Sequence, residues 1–498
     1  MHNPLGKCRY SNWFFVAISA ILLSLSGLSA CFDEEFLPGN ITELEFSLDT
    51  LRFDTVFTSI GSATRLLKVY NRSDQNVEIS SISLEKITGD MFRVNIDGYI
   101  ADEVENVRVL ANDSLYIFVE VTVDPDQPLS VSPFVIHDRI SIRAGDAEKS
   151  VTLEAWGQNA NYFPSRTSGG SIVGLSCNNN RLVWDDPKPY VVYGLLFIDS
   201  CILEIAQGTE IYFHGGLARI DELIFNDGGI FFLSGARMEA LGLPEAPITF
   251  QGDRLEDRFD DVPGQWAGLR FLAGSQGNIL QHVTIKNSIV GVRVDSSSTL
   301  DMTSCQIFNT ANVGVIGIQA SVTIDNSLVH SNGGQSCLFA SGGVYSIRHS
   351  TLANYENQSP ALYMDNFICL DANCEELLVN PLRARIVNSI IAGSNDDEIT
   401  FIDATEGDIP EAFDISLNHV FLTIDQQREV FNYSESCDIC IEDTGSPIFV
   451  DESEDNYQLD SLSLARDQGV FLTDLPVDLN NQVRDMMNPD LGCFEAQD

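Results

Sequence analysis

Apolar and polar residues along the chain follow two rhythms. Between residues 44 and 158, apolar side chains recur at every second position: Leu67 and Val69, Val77 and Ile79, Tyr116 and Phe118, then Val151, Leu153 and Ala155. Successive side chains of a strand point to opposite faces, so each set marks one face of a strand. Polar clusters such as residues 71–76, Asn-Arg-Ser-Asp-Gln-Asn, separate the sets. Short alternating strands divided by turn signals predict a β-sandwich over 44–158.

From about residue 170 the rhythm lengthens. Leu280, Met302, Ile324, Ile347 and Ile386 form one column, and Ile285, Ile307, Val329, Leu352 and Ile391 form a second, always five residues later. The steps are 22, 22, 23 and 39 residues, the long one holding an insertion near 369–380. A fixed period in the twenties means stacked units. Leucine-rich repeats share the period but need leucines that these repeats lack. Val, Ile, Ser, Thr, Asn and Gly are abundant, which favours strands throughout. The pattern predicts an all-β fold, a right-handed parallel β-helix over 170–445 with coils ~4.8 Å apart. An unbent strand would put positions i and i+5 on opposite faces, so the five-residue gap predicts a bend. Two polar columns sit beside it. His282, Ser304, Asn326, His349 and Asn388 follow the first apolar column; Asn287, Asn309, Ser331, Asn354 and Gly393 follow the second. Asn tolerates left-handed backbone and can bond the next coil's turn. His282 and His349 read as members of this ladder, because three coils separate them. Residues 278–366 hold five acids and three bases. That suits stacking, since like charges one coil apart repel.

The flanks of the ladder carry a resemblance. Leu203-Glu204-Ile205 leads to Gly208-Thr209-Glu210-Ile211-Tyr212-Phe213, then to Gly228-Gly229-Ile230, Ala246-Pro247-Ile248-Thr249-Phe250 and Gly264-Gln265-Trp266-Ala267-Gly268-Leu269. This order resembles secreted bacterial β-helix proteins of the pectate-lyase-like superfamily, in particular surface lipoproteins with an N-terminal Ig-like domain. Ser463–Gly469 and Pro489–Glu495 resemble the coil and cap that end such helices, which assigns 446–498 that role. In the sandwich, Val69-Tyr70-Asn71, Phe92-Arg93-Val94 and Ser114–Val119 resemble Ig-like domains of the abnormal-spindle and hydin type. That resemblance implies a spacer or adaptor. The superfamily also implies polysaccharide lysis, with calcium held by outer-face acids beside an Arg or Lys base.

Residues 1–30 hold Lys7 and Arg9, no acid, and an apolar run from Trp13 to Leu28. A charged segment followed by a short apolar one is the pattern of a secretory signal peptide. Leu28-Ser29-Ala30-Cys31 resembles the bacterial lipobox, whose cysteine is lipidated and becomes the new N-terminus. Cys31 is thus the expected lipid anchor, with an outer-membrane address. Asp33, Glu34 and Glu35 open an acidic tether over 31–43. It resembles a surface-export tag, and a plain solvated tether is the equal alternative.

The chain has 498 residues, and 28 Lys+Arg against 72 Asp+Glu give a net charge of −44, or −46 once 1–30 are removed. Such a balance argues against nucleic acid as a partner. The expected partners are the membrane, through the anchor, and a carbohydrate or surface protein. Nine cysteines follow Cys31; an exported chain permits disulfides, and an odd number leaves at least one thiol. Cys369/Cys374 and Cys437/Cys440 are close enough to close small loops. The lone C-x-x-C lacks a βαβ setting, so a structural pair is expected over redox chemistry.

No phosphate loop, H-E-x-x-H or G-x-S-x-G occurs, and residues 451–456 lack the glycine and closing Glu of an EF-hand. The densest acid cluster is Asp253, Glu256, Asp257, Asp260 and Asp261. It could hold Ca²⁺, which takes about 6–8 oxygens, or be a solvated loop. Asp396-Asp397-Glu398 is a smaller run of the same kind. Asp325 and Arg348 share an offset one coil apart, which predicts a stacked ion pair. No catalytic residue is assigned. The expectation is a lipid-anchored, surface-exposed β-helix acting as a non-catalytic glycan-binding, adhesive or structural module. The rival is a polysaccharide lyase or glycoside hydrolase working on the lateral face.

Overall fold

The computed structural model describes residues 37–38, 44–57, 64–87, 90–121, 136–145, 147–158, 160–163, 172–175, 177–220, 223–254, 261–355, 357–430 and 433–496. Residues 1–30, expected to be a signal peptide, Cys31 and most of the expected tether lie outside them. The described chain forms two compact units, the first drawn from residues up to 53, 63–121 and 136–154 and the second chiefly from 155 onward.

The first unit holds two sheets. One pairs Val77–Leu84 with Glu103–Val109 and Ile136–Ala144. The other pairs Arg65–Asn71 with Ser114–Val121, and that strand with Phe92–Ile96. Phe53 of the first sheet meets Phe92 of the second at 5.7 Å between centroids, so the sheets face each other as a sandwich. Leu67, Val69, Val77, Ile79, Val151, Leu153 and Ala155 are buried as the alternation requires. Tyr116 and Phe118 are not: they are 40% and 41% exposed, and Leu115, Ile117 and Val119 face inward instead. Both phases of this strand are apolar, so alternation alone cannot choose its buried face; packing selects the aliphatic one.

The second unit is the parallel β-helix. Twenty-five described strands belong to one parallel system, arranged as three lateral sheets that each coil visits in turn. The first contains Val283–Lys286, Gln306–Phe308 and Leu328–His330. The second contains Gly268–Phe271, Val292–Val294 and the start of Val315–Asp325. The third contains Asn278–Gln281, Thr299–Thr303 and the end of Val315–Asp325. Both apolar columns pair in register as read, Leu280 to Met302 to Ile324 to Ile347 to Ile386, and Ile285 to Ile307 to Val329 to Leu352 to Ile391. All ten side chains are buried. The columns extend further, upstream to Trp184 and Tyr190 and downstream to Leu417 and Leu422.

The bend is made by single left-handed residues. His282, Ser304, Asn326, His349 and Asn388 have φ between 45° and 53°, and Asn287, Asn309 and Ser331 between 49° and 62°. One such residue turns the chain from the third lateral sheet to the first. The residue after it adds a ladder of its own. Ser327 Oγ accepts from Cys305 N–H at 3.0 Å, Ser350 Oγ from Ser327 N–H at 3.1 Å, and Ser389 Oγ from Ser350 N–H at 3.2 Å.

The C-terminal segment departs from its expected place as a coil and cap. It lies along the side of the helix, over the outer face of the first lateral sheet. Leu328, Ala353, Ile390, Ala392 and Phe421 face outward there and are covered by Phe449, Tyr457, Leu459, Ala465 and Leu491. The apolar outer face is the cause, since exposed it would be a hydrophobic patch. The strap also bonds the turn ladder. Arg484 Nη2 donates to Asn326 Oδ1 at 2.8 Å, Val470 N–H to Asn388 Oδ1 at 3.0 Å, and Arg348 binds Asp474 at 2.8 Å.

Disulfides join Cys177 to Cys201, Cys369 to Cys374 and Cys437 to Cys440. Cys305, Cys337 and Cys493 are buried thiols. Burial pushes Cys305 and Cys493 up to about 12, so both stay protonated at neutral pH.

Candidate functional site

The outer face of the second lateral sheet brings together side chains that no local motif links. Phe197, Phe231, Arg270, Arg293, Ile316, Leu338 and Tyr363 are stacked register partners, one per coil, and all are half-buried. Phe197 and Phe231 stack at 5.1 Å and 20°. Arg270 and Arg293 are like charges on adjacent coils, an arrangement at odds with the low charge of the ladder. Asp295 resolves the repulsion: its Oδ2 accepts from Arg270 Nε and its Oδ1 from Arg293 Nε, each at 2.8 Å. Glu204 and Glu239 are stacked like charges in the third sheet, and Arg181 bridges them in the same way. Tyr363, farther along, is pushed up to about 12 by burial and by Asp365.

Chain insertions flank this face. The antiparallel hairpin of Gly216–Ile220 with Leu223–Asp227, and the loop from Asp253 to Ala267, precede it in their coils. The hairpin of Phe367–Cys369 with Leu377–Val379 follows it.

Of the expected metal ligands, Glu256, Asp257 and Asp260 lie outside the described residues. Asp253 is buried, and Asp261 is exposed. Among the described residues, no group of three His, Cys, Asp or Glu is placed to hold a metal. Asp325 and Arg348 form the stacked pair expected of them, with Nη2 to Oδ2 at 2.5 Å and Nε to Oδ1 at 2.8 Å. His282 and His349 sit in the turn ladder. His349 is fully buried against Asn388, at 2.8 Å, and burial with the Arg484 charge holds it down at about 2.

The run 396–398 is no uniform acidic loop. Asp397 accepts the backbone N–H groups of Asp425, Gln426 and Gln427 at 2.7–3.1 Å. Glu398 is fully buried and accepts from Ala361 N–H, Asn395 N–H and Asn395 Nδ2. Burial outweighs those bonds and pushes its carboxyl up to about 7. Gly393 makes room for it: a Cβ there would lie 2.3 Å from Glu398 Oε1.

One constellation was invisible in the sequence. His330 Nδ1 and Ser331 Oγ both meet Asp455 Oδ1, at 3.1 and 2.6 Å, across 124–125 residues. A nucleophilic triad needs the serine on one ring nitrogen and the acid on the other. Here both partners converge on one carboxylate oxygen, and the geometry locks the strap to the ladder.

No protein-family model matches the chain, and no curated protein matches it. Solved structures overlap it weakly. A family 123 glycoside hydrolase from Clostridium perfringens aligns at 9% identity and TM-score 0.18, over 26% of each chain, so this chain spans about a quarter of that protein. The catalytic unit of a GH87 α-1,3-glucanase from Streptomyces thermodiastaticus aligns at 10% identity and TM-score 0.27, over 72% of this chain and 73% of that one. A mutant of the periplasmic alginate epimerase AlgG aligns at 11% and TM-score 0.22, over 55% and 78%. The β-helix is read from the strand pairing itself.

Proposed function

We propose that the chain is a lipid-anchored surface protein whose Ig-like domain carries a β-helix that binds glycan without turning it over. The observation that carries this reading is the Phe197–Phe231 stack running into the Arg270–Asp295–Arg293 bridge on one outer face. Aromatic rings offer faces to the apolar side of a sugar, while guanidinium Nη groups offer donors to its hydroxyls. The coil spacing of ~4.8 Å repeats such groups along an extended chain. A non-catalytic role is supported by Asp295, whose two oxygens are each occupied by a guanidinium and so are not turned to a ligand. The rival, a lyase or hydrolase on the same face, draws its support from the acid-rich loop that leads into the strand of Arg270.

A glycan array with the full chain tests the first reading. Phe231→Ala should weaken any ligand found by at least about fivefold, taking as a guide the ~1–3 kcal/mol that an aromatic side chain contributes when it stacks on a flat ligand ring. An array without a hit sinks the glycan reading. Ultraviolet absorbance from unsaturated uronides, on pectin, alginate and chondroitin with calcium, should stay flat; a signal lost in Asp257→Ala would establish the rival. Cys31→Ala should release the protein from the membrane fraction, and continued retention would refute the anchor.

A further inference from the structure

The second lateral sheet stops one coil early. Its last strand, Ile399–Ile402, pairs with Leu362–Asp365 and with no later strand among the described residues. The first sheet continues to Cys440–Glu442, and the third to a bridge at Cys437. Where the next strand of the second sheet would lie there is a cleft of about 1090 Å³. Phe401, Ile402 and Phe413 line one wall, and the helices Gln427–Val430 and Tyr433–Ser436 the other. Gln427 Oε1 accepts the Phe401 N–H at 3.2 Å. That is the bond a following strand's carbonyl would make, so a side-chain amide stands in for a backbone.

The rim is acidic. Glu406, Glu429 and Glu435 are exposed along it, beside Asp403. Among the described residues the single base lining the cleft, Arg428, is taken by Glu442 at 2.6 Å.

We propose that this mouth takes an extended basic peptide, docked as an added parallel strand on Ile399–Ile402. An open strand edge supplies main-chain bonds, and side-chain pockets at alternate positions supply specificity. Inward-facing Ile399 and Phe401 are the last strand-paired members of two core columns, buried in a core that also holds Ile424. Alternate peptide residues extend those columns and are apolar; the residues between them carry Lys or Arg to the acidic rim. Seating the peptide moves the segment from Thr423 to Gln427 off this edge, Gln427 leaving the Phe401 N–H and Thr423 the Glu398 N–H.

The test uses the full chain in detergent and a fluorescent peptide of alternating Val and Lys, followed by anisotropy. The Val/Lys peptide should bind, and its Val/Glu counterpart should not. A backbone N-methylated Val/Lys peptide keeps every charge and side chain but loses its donors, and should bind at least about tenfold more weakly. Glu406→Gln with Glu435→Gln alters only exposed positions, and should weaken the parent peptide at least about fivefold without moving the melting temperature. Equal binding of the N-methylated peptide reduces the effect to charge attraction and overturns the strand. No binding by the parent peptide, or undiminished binding by the double variant, overturns the site.

Discussion

Two buried side chains with opposite habits contribute to the acid response of the helix. Glu398 keeps its proton in the fold up to about pH 7, against an ordinary value of 4.5. Its contribution is fully present below the unfolded value and is lost as pH rises through 7; one pKa unit is about 1.4 kcal/mol. His349 runs the other way. Held at about 2 instead of 6.5, it stays neutral in the fold while the unfolded chain takes up a proton. Its contribution is present above 6.5 and falls by about 1.4 kcal/mol per pH unit below that. Between 4.5 and 6.5 the two slopes oppose each other. Glu398→Gln should therefore gain on the wild type in melting temperature as pH rises from about 5 to about 8. His349→Asn, which keeps a left-handed-tolerant ladder residue, should gain on it as pH falls from about 7 to about 5. A gap that stays constant with pH in either variant refutes the assigned burial effect.

At the scale of the element, the ladder was legible where chemistry repeats at a fixed interval. The third-to-first turn is one residue long in the coils from Leu280 to Leu422, so there the apolar columns and the left-handed column stay in phase and stand out. The second sheet was not legible, because the turn before it varies. Seven residues separate Ile285 from Val292, but nineteen separate Phe250 from Leu269. No fixed period survives such insertions, and the Phe197–Phe231 and Arg270–Arg293 pairs disappeared with it. Glycine marks that variable turn. Gly268 has φ +114°, and a Cβ would sit 1.9 Å from Val290 O. Gly268→Ala should destabilise the helix by more than the ~1 kcal/mol typical of a point change. On the fixed side, Ile307→Ala should cost about 2–5 kcal/mol and Ile307→Asp more, since it buries an unpaired charge. Denaturant midpoints measure all three; an Ile307→Asp variant as stable as wild type would mean the columns are misassigned.

At the scale of the molecule, a stack of coils would unravel from its ends, because each coil touches only its neighbours. The strap changes that. It reaches Asn326 through Arg484, Arg348 through Asp474 and Asn388 through Val470, so coils without mutual contact share one partner. Ending the chain after Asp443 should bare Leu328, Ile390 and Phe421, lower the helix melting temperature by at least about 5 °C and raise the binding of a hydrophobic dye. A truncated chain with an unchanged transition would reduce the strap to an appendage. The sequence recorded the strap as a closing coil because its motif-like stretches carry no sign of which surface they cover.

The strap also orders events in time. A polypeptide is made from its N-terminus, and each coil can settle on the one before it as soon as about 22 residues have emerged. The segment that fastens Asn326, Arg348 and Asn388 arrives after all three, some 160 residues after the earliest of them. Until then the nascent helix has an uncovered oily flank, and only the strap hides it. Emergence of the strap is thus a closing step for the coils it fastens, one that a chain ended ahead of it cannot perform.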